Sequence, residues 1–122
     1  MTREEFEALV RRTVEDLPED FRARIGGLAI VVRDEPSRAE RRAARLRKGD
    51  DLFGLFQGEA TTEQSLSDLP RLPDRIVIYR RPLERAFPES SELAAEIRKT
   101  ILHELGHYFG LDERRIGKLG YT

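Results

Sequence analysis

The sequence predicts an α+β fold: a small mixed sheet of three or four strands packed with an N-terminal and a C-terminal helix. Three observations carry this reading. An amphipathic stretch opens the chain, three short apolar runs rich in branched and aromatic residues follow, and one long helical pattern lies near the C-terminus. A length of 122 residues suits a single domain over residues 1–122, with one modest core.

Residues 3–17 read as an amphipathic helix, because Phe6, Leu9, Val10, Val14 and Leu17 recur at helical spacing and Thr2 with Glu5 fits a capping box. Pro18 ends it, and Glu19 to Arg24 adds one more turn at most. After Gly26-Gly27, the run Leu28-Ala29-Ile30-Val31-Val32 predicts a buried strand. Residues 34–50 carry Arg38, Arg41, Arg42, Arg45, Arg47 and Lys48, with Glu40 as the interruption, and two readings stay open there: a solvated helix or a mobile loop. Leu52-Phe53-Gly54-Leu55-Phe56 predicts a second strand, in which Gly54 permits close backbone approach. Residues 58–73 hold Thr, Ser, Asp and Pro without periodicity and predict a loop. Arg75-Ile76-Val77-Ile78-Tyr79-Arg80 predicts the third strand, closed by Pro82. The last helix runs from about Glu92 to Phe109, capped by Ser90 or Ser91 and ended by Gly110.

A hydrophobic share of 39% beside 37% charged residues is that of a soluble globular chain. The net charge of -1 gives no global field for nucleic acid or an anionic membrane. With no cysteine, disulfides and thiolate metal sites are excluded. No apolar run approaches membrane-spanning length, and Thr2-Arg3-Glu4-Glu5 does not open a signal peptide, so a cytoplasmic location is expected. Asn is absent and Arg far outnumbers Lys, a bias that a thermophilic source and a GC-rich genome would each produce.

The chain has two histidines, and they stand in His103-Glu104-Leu105-Gly106-His107. Residues four apart on a helix differ by about 40° around its axis, so both imidazoles address one ion. Glu104, about 100° from His103, is placed to reach a water on that ion and act as general base. Zinc suits two imidazoles and a carboxylate with an open position, and it lowers the pKa of a bound water to about 7. Ala94, Ile97, Ile101, Leu105 and Tyr108 fall between about 120° and 200° from His103, and Leu102 and Phe109 widen that stripe. The histidines therefore lie off the apolar face, where packed core histidines would not be.

Residues 103–113 read His-Glu-Leu-Gly-His-Tyr-Phe-Gly-Leu-Asp-Glu, which resembles the extended motif of zincin metallopeptidases. More specifically, the chain resembles the minimal zincin-like metallopeptidases, short bacterial proteins with this motif near the C-terminus. Leu52-Phe53-Gly54-Leu55-Phe56-Gln57-Gly58, the segment from Pro73 through Arg80-Arg81-Pro82, and the ending His107 to Glu113 carry the likeness, which spans nearly the whole chain. It implies a zincin-like fold and peptidase activity, with His103 and His107 as zinc ligands and Glu104 as catalytic base. The position of the third ligand falls on Glu113, where the extended pattern usually has His or Asp, and the adjacent Asp112 is the alternative. No methionine follows the motif, so the Met-turn of larger relatives is not expected.

The partner implied is a peptide or protein substrate, with no membrane and no nucleic acid. Leu52 to Gln57 could be an edge strand that pairs with a peptide, or an ordinary structural strand. Tyr108 and Tyr121 could donate to a developing oxyanion, although Tyr108 lies on the apolar face, where packing is its expected role. The basic residues 38–48 lack interleaved aromatics and read as a solvated face. A second functional reading is a non-catalytic zincin scaffold that binds metal or a protein partner. The short chain favours it, whereas Glu104 favours the enzyme.

Overall fold

The computed structural model describes residues 1–26, 28–46, 49–58 and 74–110, together with residues 114 and 118. The elements in order are α1 (Arg3–Glu15), α2 (Glu19–Arg24), β1 (Ala29–Arg33), α3 (Arg38–Ala43), β2 (Gly54–Gln57), β3 (Arg75–Tyr79), α4 (Arg80–Ala86) and α5 (Ser90–Tyr108). The three strands form one mixed sheet in the order β1-β3-β2. β1 runs parallel to β3, from Ala29 opposite Arg75 to Arg33 opposite Tyr79. β2 runs antiparallel to β3, from Gly54 opposite Ile78 to Gln57 opposite Arg75. β2 is thus an edge strand among the described residues, and β3 is central.

β3 reads as an unbroken apolar run because both faces of the sheet are covered. Ile76 and Ile78 join the main core with Phe6 and Val10 of α1, Leu83 of α4, and Ile97, Ile101 and Leu105 of α5. Val77 and Tyr79, on the other face, pack with Leu52, Ala44, Leu46 and Leu55 in a smaller cluster. Burying a side chain of this size contributes about 1.5–3 kcal/mol each, which makes α1 and α5 stable only when docked on the sheet.

The expected capping box forms, and a second one appears. The Thr2 hydroxyl accepts from the Glu5 amide at 3.1 Å, and Glu5 accepts from the Thr2 amide at 2.9 Å. Ser37 and Glu40 repeat this pattern at 3.1 and 2.8 Å and start α3, so Arg38–Ala43 of the basic stretch is helical, while Arg45 lies past its end and Arg47 and Lys48 lie outside the described residues. Glu40 is buried rather than solvated, because its second oxygen accepts from the Tyr79 hydroxyl at 2.7 Å and from the Gln57 amide at 3.3 Å. Arg33 stands 3.7 Å from the same carboxylate. One carboxylate therefore ties α3 to all three strands.

Three expectations are corrected. β3 ends at Tyr79, and Arg80 begins α4, a helix the sequence reading did not contain. Pro82 does not close the strand; it is the third residue of α4, where its missing N–H would have no intrahelical acceptor in any case. Neither Ser90 nor Ser91 caps α5: both lie inside it, Glu89 is the N-cap, and no side chain bonds there. α5 does end as expected, at Gly110 with φ 80°. No helix among the described residues is long and apolar enough to cross a membrane.

Candidate metal centre

α5 presents two covered sides. Ile97, Ile101 and Leu105 are fully buried in the main core, while His103 and His107 are half-buried on another side, as the helical spacing predicts. Leu93 is buried where Ala94 was expected, and Ala94 is half-buried. Glu104 is buried as well, where β2 lies along the helix.

Gly54 permits this approach. A Cβ at Gly54 would lie 2.6 Å from Thr100 Cγ2 and 3.5 Å from Glu104 Cγ, so only glycine lets β2 and α5 meet this closely. Thr100 is itself held in place, its hydroxyl donating to the Glu96 carbonyl at 2.8 Å.

The site's geometry follows from this contact. The Nε2 atoms of His103 and His107 converge to 3.2 Å, their rings 4.9 Å apart at 73°. Ligand atoms of His103, Glu104 and His107 all lie within 4.8 Å of one another. Two imidazole nitrogens at zinc-bonding distance in a tetrahedral site stand about 3.3 Å apart, so the pair fits one divalent ion. Glu104 Oε1 accepts from the Phe56 backbone amide at 2.8 Å, which orients the carboxylate between the histidines and the sheet edge.

The Tyr79 amide bonds to the Phe53 carbonyl at 2.9 Å, making residues 53 and 79 a hydrogen-bonded pair of the antiparallel ladder. Alternation then turns the backbone groups of Gly54 and Phe56 away from β3, toward α5 and the site. A cleft of about 550 Å³ opens there, lined by Phe56, Glu104, His103 and His107 together with Leu55, Ala44 and Leu46, the last two beyond the end of α3. A hollow of about 310 Å³ continues it toward the start of α5, past Gly54, Lys99 and Thr100.

Tyr108 packs, as its position on the apolar face suggests: its ring stands edge-on to Phe56 at 5.6 Å and tilted against Phe109 at 5.5 Å. Phe109 in turn stacks on Phe21 of α2 at 5.8 Å and lies under the Arg24 guanidinium, which anchors the end of the histidine helix. Glu113, Asp112 and Tyr121 lie outside the described residues. The Phe56 amide and the α3 wall were not anticipated. A backbone amide leaves no trace in residue type, although Gly54 within an apolar run did mark the close approach.

A helix carrying two converging imidazoles and a carboxylate beneath the edge strand of a mixed sheet defines a zincin-like scaffold with a candidate metal site. Residues 25–121 match the family described as zincin-like metallopeptidase, and the chain belongs to that family. It is also similar to the solved structure of a conserved hypothetical protein from Thermus thermophilus. That likeness has 29% sequence identity and a TM-score of 0.60, and covers 96% of this chain and 99% of the other. No curated protein matches the chain.

Proposed function

We propose that the protein is a zinc-dependent metallopeptidase that hydrolyses peptide bonds with an activated water. One observation carries this reading: His103 and His107 Nε2 converge to 3.2 Å beside Glu104, in a cleft bordered by an edge strand. His103 and His107 would hold the ion, with Glu113 as third ligand and Asp112 as the alternative. When bound, zinc would polarise the scissile carbonyl and make the water acidic enough to deprotonate near neutral pH.

The chain's own residues supply the rest. Glu104 takes a proton as the water oxygen bonds to the carbonyl carbon, then returns it to the amine nitrogen as the C–N bond breaks. The Phe56 amide holds that carboxylate in place. The outward-facing backbone of Gly54 offers a peptide main-chain hydrogen bonds, so the substrate would lie extended along β2. The protein would act on peptides or proteins in the cytoplasm.

The test is cleavage of a broad peptide library by zinc-loaded protein, with Glu104→Gln as control. Equal cleavage by both proteins would overturn the assignment of Glu104 as base. A second reading, a metal-binding module without catalysis, is favoured by the same bond from Phe56, which gives Glu104 a structural role as well. Zinc binding by His103 and His107 without cleavage of any library member would support it.

A further inference from the structure

Side chains alternate across β2. Gly54 and Phe56 turn toward α5 and the main core, whereas Leu55 turns to the other face, where it joins Ala44 and Leu46 against Leu52, Val77 and Tyr79. Ala44, Leu46 and Leu55 are only half-buried in that cluster, and they line the cleft together with His103 and His107. Apart from the two histidines and Glu104, every side chain lining this cleft is apolar. The lining contains no lysine, arginine, amide or hydroxyl side chain.

This apolar wall is preformed. The Ala44 amide bonds to the Glu40 carbonyl at 3.1 Å, and the Glu40 side chain is fixed to Tyr79 and Gln57 across the sheet. The Leu46 amide bonds back to the Arg41 carbonyl at 3.4 Å, while the Arg41 guanidinium donates to the Asp50 carbonyl at 2.6 Å. These bonds hold the end of α3 against the face of β2 that carries Leu55. A ligand meeting a fixed wall is spared the cost of ordering it.

We propose that Ala44, Leu46 and Leu55 form a subsite for an aliphatic side chain beside the scissile bond, so that the substrate is a peptide with Leu, or a residue of like size and polarity, at that position. The inference rests on the peptidase reading above and names its substrate class. A peptide laid along the outer edge of β2 alternates as β2 does, so its residue opposite Leu55 turns its side chain into this wall. Leu55 stands between Gly54 and Phe56, and the Phe56 amide holds Glu104, which puts that peptide residue next to the reacting bond. A charged side chain there would leave water without finding a partner, whereas a leucine gains by burial. The wall and the histidines belong to one cleft, so its occupant passes the metal site, as a substrate does.

The test is an NMR titration of zinc-loaded Glu104→Gln protein with two short capped peptides of Gly, Ala and Ser, one with a single central Leu and the other with Glu in its place. The Leu peptide should bind at least about tenfold tighter and shift the methyl signals of Ala44, Leu46 and Leu55. Ala44→Lys places a cation in the wall and should reduce that ratio to below about threefold. A cation suits the C-terminal end of α3, and zinc content and melting temperature are measured alongside, so lost preference cannot be lost metal or unfolding. Leu46→Ala, which trims the wall without adding charge, should weaken the Leu peptide and leave the Glu peptide unchanged. Equal binding of the two peptides, binding of neither, methyl shifts confined to other residues, or a ratio unchanged in Ala44→Lys would each overturn the proposal. Concentration-dependent shifts of these methyls without peptide would overturn it too, in favour of a second copy of the chain on this wall. The protein in this test binds without cleaving, so absence of peptidase activity leaves the result standing. Conversely, an active peptidase indifferent to Leu would refute the aliphatic preference alone.

Discussion

The Glu104 carboxylate accepts the Phe56 backbone amide at 2.8 Å, so the residue proposed as base also covers the open edge of the sheet. The two residues are 48 apart in sequence, and they meet because Gly54 lets β2 lie directly on α5. The presence of a glutamate after His103 does not by itself separate an enzyme from a metal-binding module, since the sheet edge gives it a second purpose.

Substitution separates the two roles. Glu104→Gln keeps an oxygen for the Phe56 amide, so the melting temperature should change little, while cleavage should fall about 10²–10⁴-fold. Glu104→Ala leaves a part-buried amide unpaired and should also cost about 1–3 kcal/mol of stability, measured by denaturant unfolding. Cleavage that persists in Glu104→Gln removes the base from the mechanism.

Metal content tests the paired histidines. The purified protein should carry about one zinc per chain, and His103→Ala or His107→Ala should each remove most of it, since one imidazole leaves too few ligands. Zinc should raise the melting temperature of the wild type and of neither variant. Glu113→Ala should weaken zinc binding more than Asp112→Ala, and the opposite order would move the third ligand by one residue.

Gly54→Ala places a methyl group 2.6 Å from Thr100 Cγ2. Overpacking of this kind costs about 1–3 kcal/mol, and the edge strand should withdraw from α5. Thr100→Ser removes that carbon while keeping the hydroxyl bonded to the Glu96 carbonyl, so the double variant should regain part of the loss. A double-mutant cycle showing simple additivity would mean that the contact does not limit the approach of β2.

The Glu40 network sets a dependence on pH. Burial pushes the Glu40 carboxyl up, but the Ser37 amide and the Tyr79 hydroxyl outweigh it and hold the group below its usual value of 4.5. A lowered folded-state pKa contributes stability above the unfolded value, and that contribution is lost as pH falls through the folded one. Glu40→Gln should therefore destabilise at pH 7, by about 1–3 kcal/mol, and the difference should shrink below about pH 4. Burial, and then the bond to Glu40, raise Tyr79 above its usual value of 10.0, so stability should also fall as pH rises beyond that point. A wild-type minus Glu40→Gln difference that is flat from pH 3 to pH 7 would contradict this account.

What the sequence determined by itself is what short-range spacing encodes. α1 and α5 show as residues three and four apart, and β3 as a run of branched side chains. The pairing of His103 with His107 follows from one helical turn, whatever the rest of the chain does. Tertiary structure decided everything that joins distant positions. Arg80–Ala86 became a helix that buries Leu83 in the main core against α1 and α5, with Pro82 tolerated because it falls in the first turn. Glu40 lies in a stretch that reads as solvated, and it is buried because Tyr79, 39 residues away, donates to it across the sheet. β2 became the edge strand through its register against β3, and Ala44 and Leu46 came to line the cleft at His103 and His107 although they stand about sixty residues earlier in the chain. Local spacing is a property of the backbone's own repeat, whereas these contacts arise from sheet pairing and close packing. No window of neighbouring residues contains both partners.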